Sequence, residues 1–525
     1  MSGKARIAAV VAALALAVAT PVWAKTLKWA NDGDVSSMDP YFLNETFLLG
    51  FLGNVYEALV TRGKEQELEP ALALSWEATS PTVWRFHLRP GVKFADGSPF
   101  SADDVLFSFA RVRTEGSDLK AYLTTVKELK KIDELTVDFV TAEPNPLLPS
   151  DIAFWYMMSK GWAEKNGATA VASVKKNEEN FATRHANGTG PFMVTAREPD
   201  VKTTAVPNPN WWGKPEHDLT ELDFSVIKSD ATRVAALLSG EVDMVYTVPI
   251  QDVERINGTA HRKVLQGPEM RTIFLGMDQS RDELIDSNVK GKNPFKDVRV
   301  RRAFYQAIDE DTIVKKVMRG AATASGLMVA PSVNGWDAEL NKRYPYDPEA
   351  AKKLLAEAGY ANGFTVGMNC PNDRYVNDEQ ICQAVAAMLA KIDVKVSLLS
   401  ETKSKYFAKI LARNTSFYLL GWTPGTYDAQ NAMFNLMATP NEAGQGKFNL
   451  GKYSSKRFDE LTALVTSESD PKKRNAEIRE AFTIHKEEFG HLPLHQQALA
   501  WGVKDDVHLV QRPDNIFVWK WVHVD

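Results

Sequence analysis

The sequence predicts an α/β protein whose second half contains parallel strands, and three segments indicate this class. Phe364–Cys370 and Val394–Leu399 have the length and composition of short strands, while Glu379–Lys391 between them carries apolar residues at helical spacing. A strand, a helix and a second strand in this order form a parallel pair with a right-handed crossover. Phe417–Gly421 predicts a further buried strand, whereas the first half of the chain is mixed and richer in strands.

The same periodicities predict further elements along the chain. Strands are expected at Thr26–Ala30, Val83–Leu88 and Val242–Val245. Helices are expected at Thr46–Val60, Val105–Arg111, Asp297–Gly320 and Asp347–Gly359. The second of them follows an N-capping pattern, Ser101-Ala-Asp-Asp104. Ala71–Leu74 is interpreted as the end of a helix. No internal repeat, low-complexity tract or long linker is visible between these elements.

Residues 1–24 have the pattern of a secretory signal peptide. Lys4 and Arg6 form a short positive region, Ile7–Thr20 is a run of apolar and small residues, and a small-residue cleavage site ends at Ala24. An uncleaved membrane anchor is the alternative, but the run is short for a span that needs about 20 apolar residues. The mature chain is therefore expected to be exported to the periplasm, without a lipid anchor because no cysteine lies near the cleavage site.

Composition and charge are those of a large globular protein. The chain has 525 residues, of which 44% are hydrophobic and 25% charged. At about 150 residues per domain, this length predicts two to four lobes. The formal net charge of −5 becomes −7 when Lys4 and Arg6 leave with the signal peptide. A chain this acidic lacks the basic footprint of a nucleic-acid-binding protein.

The sequence contains no catalytic motif on which an enzymatic function could rest. It has no Gly-x-Ser-x-Gly elbow, no His-Glu-x-x-His zinc helix and no phosphate-binding loop ending in Gly-Lys-Ser/Thr. His491 and His495 are four residues apart, but Pro493 lies between them, so a shared helical face and a metal site are not expected. We therefore expect no catalysis, no metal and no cofactor. An exported hydrolase remains the alternative function.

Several motifs in a fixed order carry a resemblance to a known family. They are EPALALSWE (Glu69–Glu77), WRFHLRPGVKFADGSPFSADDVLFSFARV (Trp84–Val112), GTGPFMV (Gly188–Val194), NPNWWG (Asn208–Gly213), LLSGEVDMVYTVP (Leu237–Pro249), NPFKDVRVRRAFYQAID (Asn293–Asp309), YDPEAAKKLLAEAGY (Tyr346–Tyr360) and FNLGKYSSKRFDELT (Phe448–Thr462). Together they closely resemble the extracytoplasmic solute-binding proteins of the dipeptide/oligopeptide family, family 5. Members of this family are the capture components of ABC importers.

The resemblance implies a two-lobed periplasmic binding protein fold, type II, of the large cluster with an extra subdomain. Two crossings of the chain would join the lobes and allow closure by a hinge motion. The implied boundaries are a first lobe at 25–271 plus 503–525, with an extra subdomain at about 69–184, a second lobe at 278–491, and hinge crossings at 272–277 and 492–502.

Arg374 is the first residue to which the resemblance gives a role. In peptide binders of this family, an arginine in the loop after the strand that corresponds to Phe364–Cys370 pairs with the carboxylate of the ligand. Arg374 is the matching residue, and a guanidinium suits this role because it stays charged and forms two parallel hydrogen bonds. The alternative is a surface arginine paired with a neighbouring aspartate.

The second anchor of the family departs from its pattern in this chain. Peptide binders carry Gly-Trp-x-x-Asp after a strand, and that aspartate receives the amino group of the peptide. Here Gly421-Trp422 is followed by Gly425 at the aspartate position. Asp428 could substitute for the missing acid, or it could cap the helix that follows. The ligand is therefore expected to be a peptide or a small carboxylate such as a sugar acid, an opine-like conjugate or an aromatic acid.

Other residues are expected to line the same cleft. In the second lobe, Trp422 either stacks on the ligand or packs inside the lobe, and Thr426 and Tyr427 follow it in the same loop. The candidates from the first lobe lie after predicted strands: Tyr246, Thr247, Met38 and Asp39.

The two cysteines, Cys370 and Cys382, lie at the end of a predicted strand and in the helix that follows. Export favours a disulfide between them, which would brace the loop that carries Arg374. Two buried thiols and a redox-sensing pair are the alternatives.

The predicted function is that of a binding protein without catalytic activity. The chain is expected to be a monomer that closes on a small polar solute, or on a short peptide. It would then deliver this ligand to the permease subunits of an ABC importer in the inner membrane.

Overall fold

The computed structural model describes residues 25–173, 176, 178–442 and 444–525. The signal peptide predicted for residues 1–24 lies outside the described residues. Within the described part of the chain, no helix has both the length and the apolar character needed to cross a bilayer.

The strands are numbered in chain order: β1 (Thr26–Asn31), β2 (Val60–Arg62), β3 (Leu68–Pro70), β4 (Ala73–Ser80), β5 (Val83–Leu88), β6 (Val126–Asp133), β7 (Thr136–Thr141), β8 (Phe192–Glu198), β9 (Lys202–Pro207), β10 (Glu221–Val226), β11 (Met244–Tyr246), β12 (Arg262–Met277), β13 (Ala322–Ala324), β14 (Thr365–Pro371), β15 (Lys395–Glu401), β16 (Phe417–Trp422), β17 (Leu492–Lys504), β18 (Val507–His508) and β19 (His523–Val524).

The α-helices are α1 (Thr46–Leu52), α2 (Ala102–Val112), α3 (Leu148–Asp151), α4 (Lys160–Lys165), α5 (Phe181–Arg184), α6 (Asp230–Ser239), α7 (Val253–Asn257), α8 (Val298–Ala307), α9 (Glu310–Thr312), α10 (Pro348–Glu357), α11 (Asp378–Ala390), α12 (Lys403–Leu411), α13 (Ala429–Ala432), α14 (Lys456–Ser467) and α15 (Pro471–Glu487).

An 11-stranded sheet spans both halves of the molecule, and β4-β5-β7-β6 form a separate four-stranded sheet. The strand order of the larger sheet is β15-β14-β16-β12-β17-β11-β1-β10-β9-β8, with β13 paired to β17. The two long strands in the middle, β12 with 16 residues and β17 with 13, are antiparallel partners. Strands of the second half of the chain lie on one side of this pair, and strands of the first half lie on the other. The predicted hinge crossings fall on β12 and β17, and their role as hinges remains a prediction.

The apolar cores follow the same division. Side chains from residues 27–246 and 501–522 form one core, in which the ring centroid of Trp29 lies 4.5 Å from that of Phe224 and 5.3 Å from that of Phe517. Side chains from residues 270–494 form two other cores. The C-terminal tail therefore packs with the first part of the chain, and the lobe boundaries stay a prediction.

The elements that first indicated the fold class are confirmed. β14 and β15 are parallel, in register from Thr365 opposite Lys395, and α11 connects them. β16 is the next strand on the other side of β14, and it is also parallel to β14. The helix α2 begins with the predicted capping box, in which Ser101 and Asp104 exchange side-chain and backbone hydrogen bonds.

Three predicted helices differ from the structure. α1 ends at Leu52, because Gly53 is followed by turns whose apolar residues are buried without being helical. Ala71–Leu74 is not helical, because the amides of Ala71 and Leu72 donate to the carbonyls of Leu59 and Ala58, and the last two residues of the segment belong to β4. The segment Asp297–Gly320 is divided after α8, because Ile308 is extended and Asp309 caps the next helix.

Two buried histidines are expected to make the stability of the fold depend on pH. Nε2 of His485 lies 3.0 Å from Nδ1 of His491. Burial lowers the pKa of His491 to about 3, and burial together with His491 and Arg301 lowers the pKa of His485 well below its ordinary value. Between about pH 6.5 and the folded-state pKa, the unfolded chain binds protons that the folded chain cannot. The free energy of unfolding therefore decreases as the pH is lowered, by about 1.4 kcal/mol per pH unit for each histidine.

Urea unfolding at pH 7, 6 and 5 measures this slope, and a variant isolates the contribution of the pair. His491→Gln should flatten the dependence below pH 6.5, whereas His523→Gln, at an exposed position, should leave it unchanged. Equal slopes for wild type and His491→Gln would contradict the prediction. The comparison between variants is needed because burial raises the pKa of Asp151 to about 7, and this shift acts in the opposite direction.

Candidate ligand-binding site

The loop after β14 is held in place at both ends. The backbone amides of Arg374 and Tyr375 donate to Oδ2 of Asp378, at 2.9 and 3.0 Å, in the first turn of α11. The Tyr375 hydroxyl accepts a hydrogen bond of 3.0 Å from the amide of Gly421, in β16. The loop is thereby tied both to its own helix and to the neighbouring strand, which keeps the Arg374 backbone in one place.

The Arg374 side chain has no carboxylate partner among the residues that the structure describes. Its guanidinium carbon lies 5.1 Å from the centroid of the Tyr375 ring, and the residue is exposed to solvent. The two nearest acids in sequence bind backbone amides instead: Asp373 accepts from Lys403, and Asp378 accepts from the loop itself. Desolvation and the positive charge of Arg271 lower the pKa of Arg374. These contacts do not support the alternative of an ordinary surface ion pair.

The predicted disulfide between Cys370 and Cys382 is confirmed, with Cα atoms 6.5 Å apart. It joins the end of β14 to α11, so the segment that carries Arg374 lies within the loop that the disulfide closes. A cross-link of this span stabilises a fold mainly by restricting the unfolded chain.

Reduction of this disulfide is expected to lower the free energy of unfolding by about 3 kcal/mol. Urea unfolding with and without a reducing agent measures the change. Thiol titration of the denatured, unreduced protein should detect no free thiol, and titration after reduction should detect two, since the chain has only two cysteines. Two thiols before reduction would contradict the bond.

The segment after β16 combines a packed tryptophan with an open glycine. The Trp422 ring lies 5.0 Å from that of Phe448, and its Nε1 donates to Asn431 at 3.1 Å, which supports the packing alternative for this residue. No atom lies within 4 Å of the position that a Cβ would take at Gly425. The hydroxyls of Thr423 and Thr426 are buried without a partner in the described chain.

Asp428 uses both carboxylate oxygens in contacts within the protein. The guanidinium of Arg474 donates to Oδ1 and Oδ2, each at 2.7 Å, and Nδ2 of Asn334 donates to Oδ2 at 2.8 Å. Oδ1 also caps α13 by accepting from the amide of Gln430. The N-cap alternative is therefore confirmed. The role of Asp428 as a substitute anchor has no support from these contacts.

Tyr427 lies at a contact between the two halves of the molecule. It has a left-handed backbone (φ 61°), and its hydroxyl donates to Asp514 of the C-terminal tail. The guanidinium carbon of Arg62 lies 4.3 Å from the centroid of its ring, and the same guanidinium donates to the carbonyl of Thr426 at 3.0 Å. The loop is therefore held by Arg62 from the first half of the chain and by Asp514 from the C-terminal tail, with the Tyr427 ring buried in that contact.

Two of the candidates from the first half of the chain are enclosed within the protein. Met38 and Asp39 are fully buried, and the carboxylate of Asp39 pairs with the guanidinium of Arg111 at 2.9 and 2.5 Å. This pair explains Asp39 as a structural residue. Tyr246 is buried and bonds to the carbonyl of Asn515, whereas Thr247 is exposed with a left-handed backbone (φ 66°). As ligand contacts, these residues remain predictions.

Sequence reasoning missed two charged residues on β12. Nε of Arg271 donates to Oε1 of Glu269 at 3.0 Å, and the guanidinium carbon of Arg271 lies 5.8 Å from the Tyr375 centroid. The acid raises the pKa of Arg271. The signal was available, because the two opposite charges are two residues apart, on one face of a strand that leads into the predicted hinge.

A cavity of about 370 Å³ lies apart from Arg374, among residues of the first half and the C-terminal tail, including Trp211, Trp212 and Glu57. The indole Nε1 atoms of Trp211 and Trp212 donate to Glu57 at 3.2 and 2.9 Å. These bonds satisfy the carboxylate within the fold, and we do not assign the cavity to the ligand.

The chain is similar to a family of known proteins in both sequence and fold. Residues 67–444 match the family model described as bacterial extracellular solute-binding proteins, family 5 middle. The dipeptide-binding protein of Escherichia coli K12 is 27% identical over 88% of this chain and 87% of its own length. The glutathione-binding protein GsiB of Shigella flexneri is 26% identical over 92% of both chains. The periplasmic binding protein DppA of Helicobacter pylori, solved with the peptide STSA, superposes with a TM-score of 0.78 at 24% identity, over 95% of this chain and 98% of its own. This match identifies the two-lobed binding-protein fold.

Proposed function

Because the chain belongs to the bacterial extracellular solute-binding proteins of family 5, we propose that it captures a small carboxylate-bearing solute between its two lobes and delivers it to an ABC importer. The solute is a short peptide or a peptide-like or non-peptide acid. The relatives named for what they bind, dipeptide and glutathione, are consistent with a ligand of this size.

The observation that carries the proposal is the guanidinium of Arg374. It is positively charged, has no carboxylate partner in the described chain, and is held by a loop braced by a disulfide, by Asp378 and by Tyr375. A guanidinium on such a loop suits an incoming carboxylate, because two parallel charge-assisted hydrogen bonds can form while the loop backbone is already held in place.

The topology supports delivery by closure of the lobes. β12 and β17 are the long strands that continue from one half of the sheet into the other, so bending at residues 272–277 and 492–502 would move the lobes as units. The closed and open states differ in surface, and the permease subunits in the inner membrane select the closed one. We place the protein in the periplasm as a monomer, exported by residues 1–24.

A ligand panel tests the proposal. Short peptides, glutathione and non-peptide carboxylic acids are screened by thermal unfolding, since a ligand at 100 times its Kd stabilises the fold by about 2.7 kcal/mol. Each hit is then compared with its carboxamide by isothermal titration. We expect the carboxamide to bind at least about thirtyfold more weakly, because the charge on which Arg374 acts is gone. Equal affinity for acid and amide would contradict the proposal.

A further inference from the structure

We propose that Glu269 receives a protonated amine of the ligand, so that the acid missing at position 425 is supplied from the facing strand. The inference rests on the proposed function and narrows it. The solute would carry a cationic nitrogen as well as the carboxylate that Arg374 binds, as in a peptide with a free amino terminus or an amino-acid conjugate.

The first observation is the unused half of the Glu269 carboxylate. The residue is 3% exposed, Oε1 accepts from Arg271, and Oε2 is buried without a partner in the described chain. An unpaired buried carboxylate oxygen is unfavourable, and a carboxylate can accept several hydrogen bonds. Asp39 and Asp428, the sequence-predicted acids, differ in that the protein occupies both of their oxygens.

The second observation is where Glu269 lies along the sheet. β12 and β16 are antiparallel, with Ile273 opposite Gly421 and Thr272 opposite Trp422. The ladder ends at the second pair, three residues after Glu269 on β12 and three residues before Gly425, which lies in the turn from Pro424 to Tyr427. Glu269 and Gly425 therefore flank the same end of this strand pair. Gly425 leaves room, since no atom lies within 4 Å of a Cβ built on it.

The third observation is the convergence of these residues on the Arg374 loop. A Cβ built on Gly421 would lie 2.8 Å from Cε1 of Tyr375 and 3.1 Å from Cδ of Arg271, so strand, loop and β12 meet at this glycine. The guanidinium carbons of Arg271 and Arg374 lie 5.8 and 5.1 Å from the same Tyr375 ring. The site thus presents a free cation and a half-free anion within reach of one small zwitterion.

Two other acids are weaker candidates. Glu45 uses both carboxylate oxygens to cap α1, accepting from the amides of Phe47 and Leu48 at 3.0 and 2.8 Å. Glu310 also has an unpaired oxygen, but its carboxylate is bonded to His495, on β17. Glu269 differs from both, because Oε2 is unpaired in the described chain and the Arg271 that occupies Oε1 lies beside the Tyr375 ring of the Arg374 loop.

The first experiment compares the binding of two compound libraries to the wild-type protein. One contains amino acids, di- to tetrapeptides and amino-acid conjugates, and the other contains the same compounds after complete N-acetylation. Capture by the full mature protein is measured by native mass spectrometry, and the affinity of each captured compound by titration calorimetry. We expect wild type to bind the free amines at least thirtyfold more tightly than their acetylated forms. Equal binding of the two libraries, or capture of neither, would overturn the inference.

Glu269→Gln and the double variant Glu269→Gln/Gly425→Asp form the second arm. Glutamine keeps an oxygen for Arg271, so the single variant should lose at least thirtyfold in affinity for free amines and bind acetylated compounds within threefold of wild type. The added Gly425→Asp substitution should raise the affinity for free amines at least tenfold above that of Glu269→Gln alone. A residue that only orients Arg271 would instead weaken both libraries equally and show no rescue, and that result would overturn the inference.

The failure of this inference can be told apart from failure of the proposed function. The proposed function fails if carboxamides bind as well as acids, whatever the state of the amine. The inference fails if acids are preferred over carboxamides but acetylation changes nothing.

Discussion

Replacing Arg374 with alanine is expected to lower the affinity for the physiological ligand by at least about thirtyfold and to leave the fold intact. Loss of one partner of a desolvated, hydrogen-bonded charge pair costs about 2–5 kcal/mol, of which 1.4 kcal/mol corresponds to a factor of ten. The fold should be unaffected, because the Arg374 side chain makes no ion pair in the described chain and the loop is held by its backbone amides.

Two further variants make the measurement specific. Arg374→Lys keeps the charge but loses the planar fork, so an intermediate affinity is expected. Arg255→Ala removes an arginine with a 61% exposed side chain, whose contact with Asp252 is long at 3.7 Å, and should change neither affinity nor stability. Calorimetric titration gives the affinities, and thermal unfolding without ligand reports on the fold. If Arg374→Ala bound the ligand as tightly as wild type, Arg374 would not be the residue that binds the carboxylate.

The buried pair of Asp39 and Arg111 should show the opposite behaviour, with a large effect on stability and a small one on binding. Both side chains are 0% exposed. Arg111→Met leaves the Asp39 carboxylate buried without its counter-ion, which is expected to lower the free energy of unfolding by about 3–5 kcal/mol. Urea unfolding measures the loss, and titration at a temperature where the variant is folded measures the affinity.

Arg184→Met is the matched control, because Arg184 pairs with Glu179 at the surface and its loss should cost less than about 1 kcal/mol. If Arg111→Met kept its stability and lost its ligand, Asp39 would be a ligand residue and its reassignment to the structural core would be wrong.

Much of the fold could be predicted because its signals are local. The unit formed by β14, α11 and β15 is defined by apolar periodicity over about ten residues at a time, and α2 by a capping box at Ser101. The predictions failed where burial came from distant chain. The apolar spacing of Thr46–Val60 continues beyond α1, although the residues after Gly53 are buried in turns.

The site was predictable only in part, for the same reason. Arg374 stands out through its loop and through resemblance to a family. Whether an acid is free to bind a ligand depends instead on residues far away in sequence. Arg111 lies 72 residues from Asp39, and Arg474 lies 46 residues from Asp428. Glu269 was overlooked because the family pattern directed attention to Gly425, in the loop after the neighbouring strand β16.

If this protein carries a carboxylate-bearing solute on Arg374, native mass spectrometry of the protein as isolated should detect that solute. Wild type and Arg374→Ala are purified identically from the periplasm, and each is measured before and after denaturation and refolding. We expect a mass excess on wild type that disappears after refolding and is absent from Arg374→Ala. The released compound should contain a carboxylate. The same bound mass on both proteins would contradict the claim.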